Sequence, residues 1–411
     1  MGFDVNVDHL KYGLKVIGRF ASNDKLPDDA DRVWVLPATR GARIVAPVSM
    51  ANFVEYNIPD GSCTDSLCCK RPLLEKIINT FSVGETIHIQ DDKGVLRLGN
   101  KNAAEPGKYW KEIRVRGVLC NQSGTPDVPT CTERLLSFSI RNEDFKNLFR
   151  RCASISIGGP QSGFKYVYFR IQDGNLECIA ADKYRLCTYH CTVQDWIGGE
   201  VSFLLLGEDI KALTANLGKS GSTHIDVLKN DFVRFDIGDS MMLIRSVSDP
   251  TNADFPPLTA IEKICADMNQ GDPGIIVVIP TAELVNALKP LSKKRDPYVF
   301  FRFFEDRIEV DLEIEEPGCD EYSVSLGFDS NLSEFNRPLS GEVAQLPERG
   351  NMKAKYFGAI KFNVKFLFWY LNTYRDKGKI ELRIKDSDQV IRVRNTEDEN
   401  AVFGFMPCKL D

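Results

Sequence analysis

The chain has 411 residues, 43% of them apolar and 27% charged, and a net charge of −6. That length accommodates two to four domains, and the balance excludes a wholly disordered or fibrous chain. An acidic total also means that any contact with nucleic acid must gather its cations on one surface.

The opening Met-Gly-Phe-Asp-Val-Asn has neither the basic start nor the apolar stretch of a leader, and Asn6 stands where a myristoylation signal needs Ser or Thr. No run reaches the roughly 18 apolar residues of a membrane span. A cytoplasmic protein without membrane contact is expected. The 12 cysteines, among them Cys63, Cys120, Cys178, Cys265 and Cys319, are scattered, which favours reduced thiols over a disulfide framework. Cys68 and Cys69 are adjacent, and Cys187, His190 and Cys191 lack a second ligand pair at zinc-finger spacing. No metal and no cofactor are expected.

A short apolar strand, a polar break and an amphipathic helix recur along the chain. The pattern occupies residues 3–17 (FDVNVDHLKYGLKVI), 138–152 (FSIRNEDFKNLFRRC) and 277–291 (VVIPTAELVNALKPL). Three more copies lie between and after them, at 67–81, 201–217 and 360–374. In each, apolar residues recur at helical spacing, as in Leu10, Leu14 and Ile17, or Phe366, Leu367, Tyr370, Leu371 and Tyr374. After the helices come β-rich runs at 86–90, 166–172, 176–180, 232–237, 298–304, 307–314 and 380–384, several joined by hairpin-like turns at 92–94, 173–175 and 305–306. The prediction is an α+β chain of three tandem domains, each of two helix-plus-antiparallel-sheet units. Stretches rich in Gly, Pro and polar residues at 121–132 and 268–274 place the domains at 1–130, 131–268 and 269–411.

In the first helix Lys11, Lys15 and Arg19 recur every four residues, on a stripe opposite the apolar one. The other predicted helices carry Lys76, Lys146, Arg150, Lys211, Lys289 and Lys365, with Arg151 and Lys293 close by. One such stripe is ordinarily a solvated face. Six in an acidic chain point to a shared positive surface that meets phosphates and is blind to base sequence. Acidity gathers in Glu305, Asp306, Glu309, Asp311, Glu313, Glu315 and Glu316, along a strand of alternating Ile308, Val310, Leu312 and Ile314. The first domain has a basic counterpart in Arg97, Lys101, Lys108, Lys111, Arg114 and Arg116. Either these two edges pair head to tail between subunits, or they are two ordinary solvated edges.

Several stretches resemble the bacterial sliding clamp, the beta subunit of the replicative polymerase. Residues 176–187 (LECIAADKYRLC) are similar to that family's strand ending in Ala-Thr-Asp-Gly-His-Arg-Leu, with Asp182, Arg185 and Leu186 matching and Ala181, Lys183 and Tyr184 departing. Residues 405–410 (FMPCKL) resemble the closing Met-Pro-Met-Arg-Leu, 362–367 (FNVKFL) the Phe-Asn-x-x-Tyr-Leu before the last helix, and Phe255-Pro256 the Phe-Pro pair late in the second domain. The similarity covers the second and third domains; in the first it rests on the opening strand and helix. It implies a divergent or phage-encoded clamp, closing as a homodimeric ring through head-to-tail contacts of domain 1 with domain 3. The ring would encircle duplex DNA and act as a processivity factor without enzymatic activity. The resemblance further implies one pocket for a short hydrophobic peptide of the DNA polymerase and the clamp loader. Carried over by position, that pocket comprises Phe164, Ala181, Lys183, Tyr184, Arg185, Leu186, Pro256, Met406, Pro407, Cys408, Lys409 and Leu410. The family's basic residue shortly after Pro256 is absent, Thr259 and Ala260 standing there.

Two other readings compete. An enzyme has no visible catalytic residues: Leu217-Gly218-Lys219-Ser220 lacks the first glycine of a phosphate loop, Leu213 occupying its place, and His9, His88, His190 and His224 join no nucleophile pattern. A protein-interaction scaffold with no topological DNA binding would not require basic stripes on repeated helices.

Overall fold

The computed structural model describes residues 2–20, 32–38, 41–47, 52–58, 62–63, 67–92, 95–100, 111–114, 133–157, 164–238, 240–253, 255–293, 297–312, 323–341, 354–374 and 377–408. Strands and helices are numbered in chain order. All six predicted units are present, each a strand running directly into a helix: β1 (Gly2–Asn6) into α1 (Val7–Phe20), β6 (Leu67–Lys70) into α2 (Arg71–Ile78), and β10 (Arg134–Arg141) into α3 (Asn142–Arg151). The second half repeats this with β15 (Val201–Leu206) and α4 (Gly207–Asn216), β19 (Ile275–Pro280) and α6 (Thr281–Ser292), and β24 (Tyr356–Asn363) and α7 (Val364–Asn372). In the first and last units an asparagine makes the switch. Asn6 Oδ1 accepts from the amide of Asp8 at 2.8 Å, and Asn363 Oδ1 from that of Lys365 at 3.0 Å, satisfying amides that a helix start leaves unpaired. The apolar stripes are buried largely as read: Leu10, Leu14, Ile17, Leu367, Tyr370 and Leu371 are all within 1% of complete burial and Tyr374 is buried, while Phe366 is only partly buried.

The strands form four antiparallel sheets. A five-stranded sheet runs β5 (Ser62–Cys63), β1, β7 (Thr86–Asp92), β8 (Val95–Asn100), β9 (Lys111–Arg114). A nine-stranded sheet runs β14 (Gln194–Gly198), β10, β16 (Ser222–Leu228), β17 (Phe232–Ile237), β18 (Ser240–Arg245), β4 (Phe53–Ile58), β3 (Ala42–Pro47), β2 (Arg32–Pro37), β6. The second nine-stranded sheet runs β15, β11 (Tyr166–Gln172), β12 (Asn175–Ala181), β13 (Arg185–Thr192), β27 (Ala401–Phe405), β26 (Ile391–Asn395), β25 (Lys379–Ile384), β19, β23 (Glu334–Phe335). Finally, a four-stranded sheet runs β22 (Ser323–Leu326), β21 (Ile308–Leu312), β20 (Tyr298–Phe304), β24. The turn between β11 and β12 places Asp173 and Gly174 at φ 50° and 74°, the left-handed geometry that a two-residue hairpin needs.

The two nine-stranded sheets are each shared between consecutive domains. The first crosses through β18–β4, where Met242 faces Val54, and the second through β13–β27, where Cys187 faces Phe403. Polar links lock both crossings. Asn52 donates from Nδ2 to Asp209 on α4 at 2.9 Å and accepts from the Arg245 amide at 2.8 Å. Arg151 pairs with Asp398, which also accepts from the Tyr374 hydroxyl at 2.8 Å, and its guanidinium lies 4.8 Å from the Tyr374 ring centre. Arg151 therefore faces a domain junction.

One element departs from the sequence reading. Residues Leu258–Asn269 form a helix, α5, so the linker expected from 268 is helical to Asn269. Ile261 and Met268 on α5 pack with Phe255 on Tyr168, Ile179, Leu186 and Leu204, a second small core on the second nine-stranded sheet. Two prolines precede the helix and its apolar stripe is narrow, which gave it the composition of a loop.

Candidate functional site

The crossing at β13–β27 builds a pocket from three pieces of chain. The first is the turn between β12 and β13, closed by its own side chain: Asp182 Oδ1 accepts from the amides of Tyr184 and Arg185 at 2.8 and 2.7 Å, and Oδ2 from Arg185 Nε at 2.7 Å. The second is the end of β27, zipped to that turn through the Met406 amide, which donates to the Tyr184 carbonyl at 2.8 Å. The third is α5, which contributes Ala260, Ile261 and Ile264. At Gly404 the Met268 side chain of α5 comes so close to the strand that an added Cβ would push its sulfur aside.

The cavity between these pieces measures about 320 Å³ and is mostly apolar. Phe164, Ala181, Lys183, Tyr184, Arg185, Leu186, Pro256 and Met406, all expected from the sequence, line it together. Pro407 and Cys408 do not; the Cys408 amide turns away to the Lys361 carbonyl at 2.6 Å. Lys409 and Leu410 lie outside the described residues. The sequence reading missed Asp182 as a lining residue, with Ala260, Ile261, Ile264, Val390, Gly404 and Phe405. Arg185 is held by Asp182 and lies 5.2 and 5.6 Å from the ring centres of Phe366 and Trp369, while Tyr184 stacks on Phe366 at 5.9 Å. The charge of Arg185 is thus met inside the protein. What remains open is an apolar surface with Lys183 and Met406 at its exposed rim, suited to an apolar anchor.

The helices pair side by side, α1 with α2, α3 with α4 and α6 with α7, and α1 also meets α4 across the first junction. Lys15, Lys76, Arg150, Lys211, Lys289 and Lys365 are exposed on them. Lys11 and Lys146 reach back to the carbonyls of Phe81 and Gly218 at 2.9 and 2.7 Å, and Lys211 pairs with Glu208 at 3.2 Å. The side chain of Arg19 lies outside the described residues.

No family model and no curated protein matches the sequence. Solved structures match over their whole length. A DNA polymerase sliding clamp from Bacillus subtilis superposes with a TM-score of 0.77 at 15% identity, covering 100% of both chains. The DNA polymerase III beta subunit from Pseudomonas aeruginosa gives 0.75 at 14%, and that from Streptococcus pyogenes 0.74 at 12%, again over 100% of both. The fold is that of the bacterial sliding clamps.

Within this sliding-clamp fold the acidic strand is placed differently from the sequence reading. Among the described residues β21 is an inner strand, with β22 outside it at the sheet edge. Asp311 is buried against Arg302 at 2.8 Å, and Glu309 pairs with Arg307 at 2.9 Å, so part of that acidity is neutralised within the chain. Residues 313–316 lie outside the described residues, as do Lys101, Lys108 and Arg116. Lys111 and Arg114 stand on β9, the edge of the five-stranded sheet.

Proposed function

We propose that this chain is a DNA sliding clamp: two copies close head to tail into a ring around duplex DNA, and the ring tethers a polymerase without doing chemistry itself. The observation that carries this reading is the pattern of sheet sharing. Both internal domain junctions are bridged by a nine-stranded sheet, whereas the sheets of the first and last domains end, among the described residues, at β5 and β9 and at β22 and β24, with β9 and β22 in the positions that β18 and β13 hold at the internal junctions. An edge strand presents unpaired backbone groups, and pairing β9 of one copy with β22 of another would repeat the internal junctions and close the ring. On this reading the chain divides near 130 and 268, and two copies line the opening with twelve helices. Lys11, Lys15, Arg19, Lys76, Lys146, Arg150, Lys211, Lys289 and Lys365 meet phosphates weakly enough to slide. The pocket between β13, β27 and α5 takes a short hydrophobic peptide of the polymerase and of the clamp loader, a partnership that belongs to the cytoplasm. No described helix is long and apolar enough to cross a membrane.

The test is the length of DNA made per binding event by the cognate polymerase on a primed circular template, with loader and ATP present. Products lengthened many-fold by adding this protein support the proposal. Unchanged product length with an active loader refutes it.

A further inference from the structure

On the face of the first nine-stranded sheet away from the helices, three metal-ligating side chains converge. His224 and Asp226 are two residues apart on β16, hence on one face, and Asp236 on β17 stands directly opposite His224. Their ligand atoms all lie within 4.8 Å of one another, and His224 Nε2 is 3.3 Å from Asp226 Oδ1. Donors on a tetrahedral zinc, each roughly 2.0–2.2 Å from the metal, are about 3.3 Å apart, so this pair is already at coordination spacing.

A second observation points to a cation. Asp226 is only 1% exposed, and its Oδ2 accepts no hydrogen bond; its neighbours are Arg134 Nε at 3.4 Å and Arg234 Nη1 at 4.0 Å. The two guanidinium groups offset its charge without hydrogen-bonding to it, and a metal ion on this carboxylate would bind more closely than either. The surroundings also suit a ligand set. Ser139 Oγ lies 3.4 Å from His224 Nδ1 and can accept its proton, while Ser137 Oγ donates to Asp226 Oδ1 at 2.8 Å and lies 3.1 Å from His224 Nε2, a contact that gives way when that nitrogen turns its lone pair to a metal. Arg234 now clasps Asp236 at 2.8 and 3.0 Å. It is partly exposed and can swing into water as an ion enters, so that one cation at the two carboxylates replaces another while Arg134 stays beside Asp226.

We propose that His224, Asp226 and Asp236 form a binding site for one divalent transition metal of the zinc class, with Arg234 as the cation it displaces. The site ties β16 to β17 and is independent of the ring reading, because it faces away from the helices and from the peptide pocket. The experiment is titration calorimetry of Zn2+ into the reduced full-length protein, with Co2+ absorption spectra on the same preparations. We expect one saturable site per chain, weakened at least tenfold by His224→Ala and by Asp236→Asn and tightened several-fold by Arg234→Gln. The Co2+ spectrum should lack a thiolate charge-transfer band. The tightening in Arg234→Gln separates ligation from a merely structural role, and the thermal midpoints check that each partly exposed variant folds; should His224→Ala not fold, the other two decide. Unchanged affinity in these variants, a thiolate band, or no saturable binding would overturn the proposal.

Discussion

Met406 sits at the rim of the pocket with 38% of its surface exposed, which for a methionine is roughly 60–75 Å². If an apolar peptide side chain covers that surface, about 25 cal/mol per Å² converts it into about 1.5–2 kcal/mol of binding. Met406→Ala keeps the β-carbon and removes about two thirds of that surface, so affinity should fall by about 1 kcal/mol, or roughly fivefold. The fold should not suffer, because the Met406 amide that ties the strand end to Tyr184 is retained. The assay is fluorescence polarisation of a labelled short hydrophobic peptide of the cognate polymerase, with Lys15→Glu as a control far from the pocket. A fivefold loss confined to Met406→Ala is the expected result. Equal affinity in wild type and Met406→Ala, with the peptide bound, would refute the assignment of this cavity.

Burial pushes the Asp209 carboxyl up to about 6, with Asn52 acting in the opposite direction through its hydrogen bond. A carboxyl raised in the folded state contributes stability below its unfolded value near about 4, and that contribution is lost as pH rises through about 6. Asp209→Asn should therefore stabilise the protein at pH 7 by about 1–2 kcal/mol in urea titrations, and flatten the pH dependence below that. Asp398→Ala leaves Arg151 at the second junction without its carboxylate, and urea melts should show a loss of about 2–4 kcal/mol. Replacing Lys15 and Lys365 by Glu should lower the slope of log affinity for DNA against log salt by about 0.9 for each phosphate that is no longer neutralised. An unchanged slope would remove these two lysines from the DNA-facing set.

The six strand–helix units were legible because each couples a β-rich run to a 3.6-residue apolar period; that Asn6 and Asn363 make two of the switches emerged only with their hydrogen bonds. Seven of the eight pocket residues could be placed because they lie in three short stretches that the resemblance identifies, 176–187, 255–256 and 405–410; Phe164 was carried over by position alone. What the sequence hid is what depends on the tertiary pairing of distant strands. Ile261 and Ile264 belong to a helix preceded by two prolines, and Val390 joins the pocket only because β26 neighbours β27. The acidic strand at 308–312 read as an edge because its outer neighbour, Ser323–Leu326, is too short to announce itself. Likewise His224 and Asp236 are twelve residues apart in a hairpin, and only the observed register sets them opposite each other.

The central claim is topological, and the most direct measurement is retention of the loaded protein on nicked circular DNA in moderate salt, compared with the same DNA after linearisation. A ring that slides stays on the circle and runs off the linear ends. Equal retention on both would mean ordinary electrostatic binding, and no retention on either, with a competent loader present, would contradict the clamp account altogether.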